Sequence, residues 1–289
     1  MRTIIKYKKE RRLMRLKMKE FDKNIEIDFL IKELISTNER LDKDMEIPKD
    51  YEEKRKLLRA LMNTQIPVQL SDEFYEIQDK ILSEETSNKD LVSCMDIEPI
   101  NQNHSEIDSK IGLWQGDITC LKVDAIVNAA NGQMLGCFIP LHNCIDNQIH
   151  SAAGFQLRMD CYKIMQEQGH EEPNGNAKIT SAYNLPSKYV IHTVGPAIAY
   201  GQEPNEKEIK ELESCYKSCL ELAEEYKLKS IAFCSISTGV FNFPKDQASK
   251  LAINTVRDYL RNNPNTSLER IIFNTFSDEA TEIYRKNLK

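Results

Sequence analysis

The sequence predicts an α/β protein of layered α/β/α architecture with a central sheet, preceded by a helical extension. Two observations carry this. From residue 111 onward, short apolar runs alternate with stretches of helical periodicity, the pattern of strands covered on both faces. Before residue 92 the apolar residues fall at helical spacing, and Pro48 and Pro67 divide the stretch into separate helices.

Taken in order, the first twenty residues hold nine Lys or Arg against two Glu, including Lys8-Lys9-Glu10-Arg11-Arg12, without the apolar core of a secretory signal. Segment 1–22 reads as a solvated basic helix, or as residues ahead of a later start at Met14 or Met18. The alternative is a nucleic-acid or membrane-surface arm or an organelle leader. Residues 23–92 form the expected helical extension. Ile25, Phe29, Leu30, Ile31, Leu34 and Ile35 suit one apolar face, and Leu57, Leu58, Leu61 and Met62 another. Ser71-Asp72-Glu73 reads as a helix start followed by Phe74, Ile77, Ile81 and Leu82. This unit carries few chemical residues and reads as a structural platform. Residues 84–108 are polar, with a linker expected at 93–108 and the layered domain at 109–289. Strands are expected at 111–114, 123–127, 177–183, 189–194, 230–234 and 271–274. Helices are expected at about 145–168, 205–227, 246–261 and 278–287.

The chain has 289 residues, 40% of them hydrophobic and 29% charged, which suits a globular protein with a sizeable core. No apolar run approaches the roughly 18 residues needed to span a bilayer. A net charge of −6 gives no general basic field for nucleic acid. The eight cysteines are scattered, which favours reduced thiols in a cytoplasmic protein and a metal site over a disulfide framework.

Three stretches can carry chemistry. Residues 128–154 join an apolar run ending in Asn128 and Asn131 to a loop with Cys137, His142 and Cys144, and then to a helix opened by Asp146. Two sulfurs and an imidazole within eight positions suit zinc. Three local ligands without a Cys-x-x-Cys pair leave an open Cys2His site or incidental loop residues. Ser235-Ile236-Ser237-Thr238-Gly239-Val240-Phe241-Asn242-Phe243-Pro244, between a strand and a helix, reads as a phosphate loop or an ordinary turn. Asp117 in Gly116-Asp117-Ile118-Thr119 can accept from an exocyclic amine or cap a turn. Cys215 and Cys219, four apart on a helix, read as buried small hydrophobes.

Together these strings resemble the macrodomain family. The resemblance rests on Gly116–Thr119, Asp124-Ala125-Ile126-Val127-Asn128-Ala129-Ala130-Asn131, the helix string from Ile145 to Gly154, Ala177–Thr180, Tyr189–Pro196 and Ser235–Pro244. Macrodomains bind ADP-ribose, and many hydrolyse it from proteins. Where most members have a short Gly-rich run, residues 134–143 form a longer loop with Cys and His. That departure is similar to a zinc-dependent subgroup of protein ADP-ribosyl hydrolases. The stretch from Leu57 to Asp79 is similar to the helical extension of that subgroup.

The resemblance implies a macrodomain with a mixed central sheet, and a role for each matching residue. Asp117 would hydrogen-bond the adenine amino group, with Ile118 packed beside it and Phe276 against the ring. Ser237, Thr238, Gly239, Val240 and Phe241 would cradle the diphosphate through backbone N–H groups. Asn131 would bind the distal ribose, and Cys137, His142 and Cys144 would hold Zn2+ near it. Asp146 would position water or order the loop, with simple N-capping as the alternative. His150 and His192 read as structural. The implied activity is zinc-dependent removal of mono-ADP-ribose from protein side chains, with zinc as orienter and Lewis acid, or as hydroxide donor in second place. The alternatives are a binding module without turnover and an O-acetyl-ADP-ribose deacetylase. The subgroup also implies, as partner, a lipoyl-carrier protein modified by a sirtuin-like transferase. No nucleic acid or membrane partner is expected.

Overall fold

A computed structural model describes residues 22–100 and 105–289. The basic segment before Asp22 lies outside the described residues.

Three helices open the described chain: α1 (Lys23–Thr37), α2 (Tyr51–Thr64) and α3 (Asp72–Ser87). Each starts on a side-chain cap, with Asp22, Asp50 and Ser71 accepting a backbone N–H of the first turn. Their facing sides bury Ile27, Leu30, Ile31, Leu34, Leu58, Leu61, Phe74, Ile77 and Ile81 in a core of their own, which also takes Phe155. Ile25 departs from the expected face and is exposed. Its place on the helix is taken by Ile27, which is in register with Leu30, Ile31 and Leu34 at helical spacing.

Next come β1 (Val92–Ser93), β2 (Ile111–Gln115), β3 (Leu121–Lys122) and β4 (Ala125–Ala130). Helices α4 (Ile145–Ala153) and α5 (Phe155–Gln168), then β5 (Ala177–Ser181) and β6 (Tyr189–Val194), follow. The chain ends with α6 (Glu206–Glu225), β7 (Ser230–Phe233), α7 (Lys245–Asn262), β8 (Arg270–Thr275) and α8 (Asp278–Asn287).

The main sheet has six strands in the order β2-β8-β7-β4-β6-β5, parallel except for β5. Strands β7 and β8 are buried at every residue, as expected where helices cover both faces. Helices α4 and α5 lie on one face, with α1–α3 stacked beyond them, and α6–α8 pack on the other. Cys215 and Cys219 are buried in the α6 face, as their spacing predicts.

The single helix expected over 145–168 is two helices. Gly154 adopts φ 104°, a left-handed value that an L side chain rarely tolerates, and ends α4. A Cβ there would also meet the Gln78 side chain, whose Oε1 accepts the Phe155 N–H at 2.8 Å. The polar stretch after α3 is tied to the sheet domain. Val92 pairs with Leu121, and the buried Arg270 donates to the carbonyls of Cys94, Ile97 and Ser109. Asp108 forms an ion pair with Arg257.

Candidate functional site

Four parallel strands, β2, β8, β7 and β4, lie side by side, so their carboxyl ends open on one edge of the molecule. Strand β4 has β6 on one side and β7 on the other, and the chain crosses from one side to the other between them. Such a topological switch leaves a crevice beyond the strand ends, where α/β sheets bind ligands. The candidate residues follow β2, β8, β7 and β4 in that spatial order. Three strand spacings separate the first from the last, about 14 Å at the usual strand separation.

At the β2 end, Asp117 is exposed and its Oδ1 accepts from Thr119 N (2.9 Å) and Oγ1 (2.8 Å), which caps the short turn Ile118–Cys120. Its Oδ2 lies 3.6 Å from Lys89 Nζ. Asp117 therefore caps a turn and still presents one carboxylate oxygen outward. Ile118 is buried in the main core. Phe276 follows β8 directly and is 80% exposed, so it is no core residue. The β2–β8 register pairs Gln115 with Thr275, which places Gly116-Asp117 beside Phe276.

After β7, residues 235–244 form a tight loop. Ser237 and Asn242 sit at φ 63° and 55°, and Phe243 N donates to Ser237 O (3.0 Å). The N–H groups of Gly239, Val240 and Phe241 make no hydrogen bond within the described residues, and the space over Gly239 is open. Helix α7 begins next, without a side-chain cap. Free N–H groups at a helix start favour an anion.

After β4 comes the ligand loop. Asn131 folds it: Nδ2 donates to Gly136 O (3.2 Å), and Oδ1 accepts from Gln133 N (3.0 Å). The ligand atoms of Cys137, His142 and Cys144 all lie within 4.8 Å of one another. Cys137 Sγ and His142 Nδ1 are 3.6 Å apart. Tetrahedral zinc, with S and N at about 2.3 and 2.0 Å, would set such a pair about 3.6 Å apart. Burial, with the Cys137 sulfur close by, pushes the Cys144 thiol up. A cation between the two sulfurs removes that cost, so the donor set fits a soft divalent metal.

Helix α4 starts on Cys144, whose Sγ accepts the Asn147 N–H (3.4 Å). Asp146 is therefore not the N-cap. It lies inside the first turn of the helix, buried, with Asn128 Nδ2 donating to it at 2.8 Å. Burial pushes its carboxyl up to about 6.

Beneath it, His150, Cys161 and His192 also converge within 4.8 Å. Asn128 Nδ2 faces His192 Nδ1 (3.1 Å), and Thr180 Oγ1 faces His192 Nε2 (2.9 Å). Burial holds the His192 imidazole down at about 3, and burial followed by the Arg158 charge lowers that of His150. His192 is engaged at both ring nitrogens, while His150 lies 3.5 Å from Asp146 Oδ1 through Nε2 with the Arg158 charge nearby, an arrangement less suited to a second cation than the loop above.

Sequence reasoning missed the residues that hold the ligand loop: Arg59, Asn63, Asn147 and Arg158. The available signal was polar side chains on buried helix faces, since Arg59 and Asn63 lie four apart on the helix that buries Leu58, Leu61 and Met62.

Comparison with known proteins agrees with this geometry. The Macro domain family model matches residues 127–252. A protein-ADP-ribose hydrolase of Treponema medium is 48% identical over 89% of this chain and 96% of its own. One from Staphylococcus aureus (strain MSSA476) is 43% identical over 90% and 94%. Among solved structures, the Trypanosoma brucei macrodomain in complex with ADP-ribose matches with TM-score 0.62 and 29% identity, over 80% of this chain and 95% of that one. The Oceanobacillus iheyensis macrodomain with ADP matches with TM-score 0.55 and 37% identity, over 62% and 89%. The fold, the order of the strand-end loops and these relatives agree: the chain belongs to the macrodomain family.

Proposed function

We propose that this chain is a protein mono-ADP-ribosyl hydrolase that uses zinc. The observation that carries the reading is the order of groups along the strand ends. An exposed aromatic and a carboxylate at β2 and β8, an anion loop at β7 and a metal-ligand loop at β4 match adenine, diphosphate and distal ribose in sequence.

In this reading Phe276 stacks on adenine and Asp117 Oδ2 accepts from its amino group. The N–H groups of Gly239, Val240 and Phe241 and the start of α7 bind the diphosphate, with Ser237 and Thr238 shaping the loop, since the Thr238 N–H already donates to Ser235 O (3.4 Å). Asn131 meets the distal ribose once its carboxamide turns from its own loop. Ribose C1 is then held in the mouth of the ligand loop, where the oxygen of water bonds to C1 as the bond to the protein side chain breaks. The water gives up a proton, and the side chain leaves with the bonding electron pair and is protonated from solvent where its chemistry requires it. Asp146, ionised at neutral pH, orders the β4 end through Asn128 and is placed to accept a proton from water that reaches it. Zinc held by Cys137, His142 and Cys144 would supply Lewis acidity toward a ribose or ester oxygen. The similarity to the zinc subgroup also supports a lipoyl-carrier substrate. Among the described residues no helix is long and apolar enough to cross a membrane.

A single-turnover assay on mono-ADP-ribosylated protein tests the reading. Release of free ADP-ribose is expected; retention of an intact modified protein in a stable complex would make the chain a binding module. Preference for O-acetyl-ADP-ribose under the same conditions would reassign it as a deacetylase. Asp117→Ala is expected to weaken ADP-ribose binding by about 1.5–3 kcal/mol, the usual worth of a charge-assisted hydrogen bond. The release rate from bound substrate should hold, because Asp117 lies far from the broken bond. Calorimetric titration and the single-turnover rate check the two halves.

A further inference from the structure

Asn131 folds the start of the ligand loop, but the loop is strained and leans on neighbours beyond it. Three residues adopt left-handed backbone angles: Met134 (φ 64°), Gly136 (φ 83°) and Leu141 (φ 57°). Such angles at non-glycine residues cost free energy and persist only where neighbours over-determine them. The neighbours here come from the helical extension, from α4 and, through Arg158 at Leu135 O, from α5. Asn63 Oδ1 accepts the N–H of Leu141 at 3.0 Å, at the turn just before His142. Asn63 Nδ2 donates to Ser151 Oγ (3.0 Å), so its orientation is fixed from the other side.

Arg59, one turn earlier on α2, donates through Nη2 to His142 O (3.3 Å) and to Asn147 Oδ1 (3.0 Å). Asn147 is fully buried, and its Nδ2 donates to Cys137 O (3.4 Å) and Ile139 O (3.0 Å). Its N–H donates to Cys144 Sγ. The Arg59–Asn147 pair thus reaches the backbone of two ligand residues and the sulfur of the third.

We propose that Arg59 and Asn63 are positioning residues that pre-order the metal-ligand loop, Arg59 through Asn147 and Asn63 through Leu141, making metal affinity a property of the helical extension as well as of the loop. This rests on reading Cys137, His142 and Cys144 as a metal site. Without the two side chains, the loop must be ordered at the moment of metal binding, and the affinity falls by that entropy. Outer-shell partners of this kind typically change metal affinity about 10–100-fold.

The test uses the full chain and Zn2+, with affinity read by competition against a chromogenic chelator at neutral pH. Arg59→Ala and Asn63→Ala are each expected to lose affinity about 10–100-fold. Arg59→Lys should recover part of it, since the ammonium retains a donor for His142 O. Arg55→Ala is the control. Arg55 sits one turn away on the same helix and pairs with Glu85 of α3, without touching the loop, so metal affinity should be unchanged. ADP-ribose affinity of the metal-free variants should match the metal-free parent. Wild-type metal affinity in folded Arg59→Ala and Asn63→Ala overturns the proposal. If Arg59→Ala does not fold, wild-type affinity in Asn63→Ala and Arg59→Lys overturns it equally. A parent chain that takes up no zinc fails separately, and it overturns the metal reading itself.

Discussion

Cys137→Ala is expected to abolish metal binding and slow the release of ADP-ribose by on the order of a thousandfold. A metal that polarises a reacting oxygen supplies several kcal/mol, and each 1.4 kcal/mol is about tenfold in rate. Affinity for free ADP-ribose should hold, because the residues proposed for adenine and diphosphate follow β2, β8 and β7, away from the β4 loop. Metal analysis, single-turnover rate and calorimetry measure the three. Metal loss with intact turnover would make the Cys/His loop structural.

The largest stability effect is expected at Arg158. This residue is 3% exposed, and its guanidinium is held by backbone carbonyls. Its Nε donates to Leu135 O (2.7 Å), and its Nη1 to Met62 O (2.6 Å) and Gln65 O (2.7 Å). The guanidinium also sits 4.6 Å from the Phe138 ring centroid. One side chain therefore joins the end of α2 to the start of the ligand loop from beneath. Burial lowers its pKa to about 10, which still leaves it charged at neutral pH. Arg158→Met fills similar space but leaves three carbonyls without a donor. The expected loss is about 3–5 kcal/mol, since each buried carbonyl left without its donor costs about 1–3 kcal/mol. For a domain of this size that is roughly 10 °C in Tm. Thermal unfolding followed by circular dichroism measures it, and an unchanged Tm would mean that other donors replace the guanidinium.

Much of the fold was legible because strand burial and helix periodicity are local signals. The apolar runs of β7 and β8 marked buried strands, and the stripe of Leu212, Tyr216, Cys219 and Ala223 placed α6. The break at Gly154 was not legible, because the reason for it is a backbone angle and a contact with Gln78, far away in sequence. The ligand set could be proposed from spacing, since all three donors fall in one loop. Its supports could not. Their helix position beside Leu58, Leu61 and Met62 marks Arg59 and Asn63 as lying near a buried face, but their partners are more than seventy positions away, so what they hold could not be read locally. Asp146 showed a different limit. Its place near a helix start left simple capping open beside a role in positioning water or ordering the loop; the sulfur of Cys144 takes the cap and leaves the carboxylate to face Asn128.

The central claim is that one crevice binds ADP-ribose and that the metal held at its β4 end is needed to cleave it from protein. The direct measurement is hydrolysis of mono-ADP-ribosylated protein by the metal-free chain, before and after zinc is restored, with bound metal determined in the same samples. The account predicts that release of ADP-ribose is lost with the metal and returns in proportion to about one zinc per chain. Full release from the metal-free protein would contradict it.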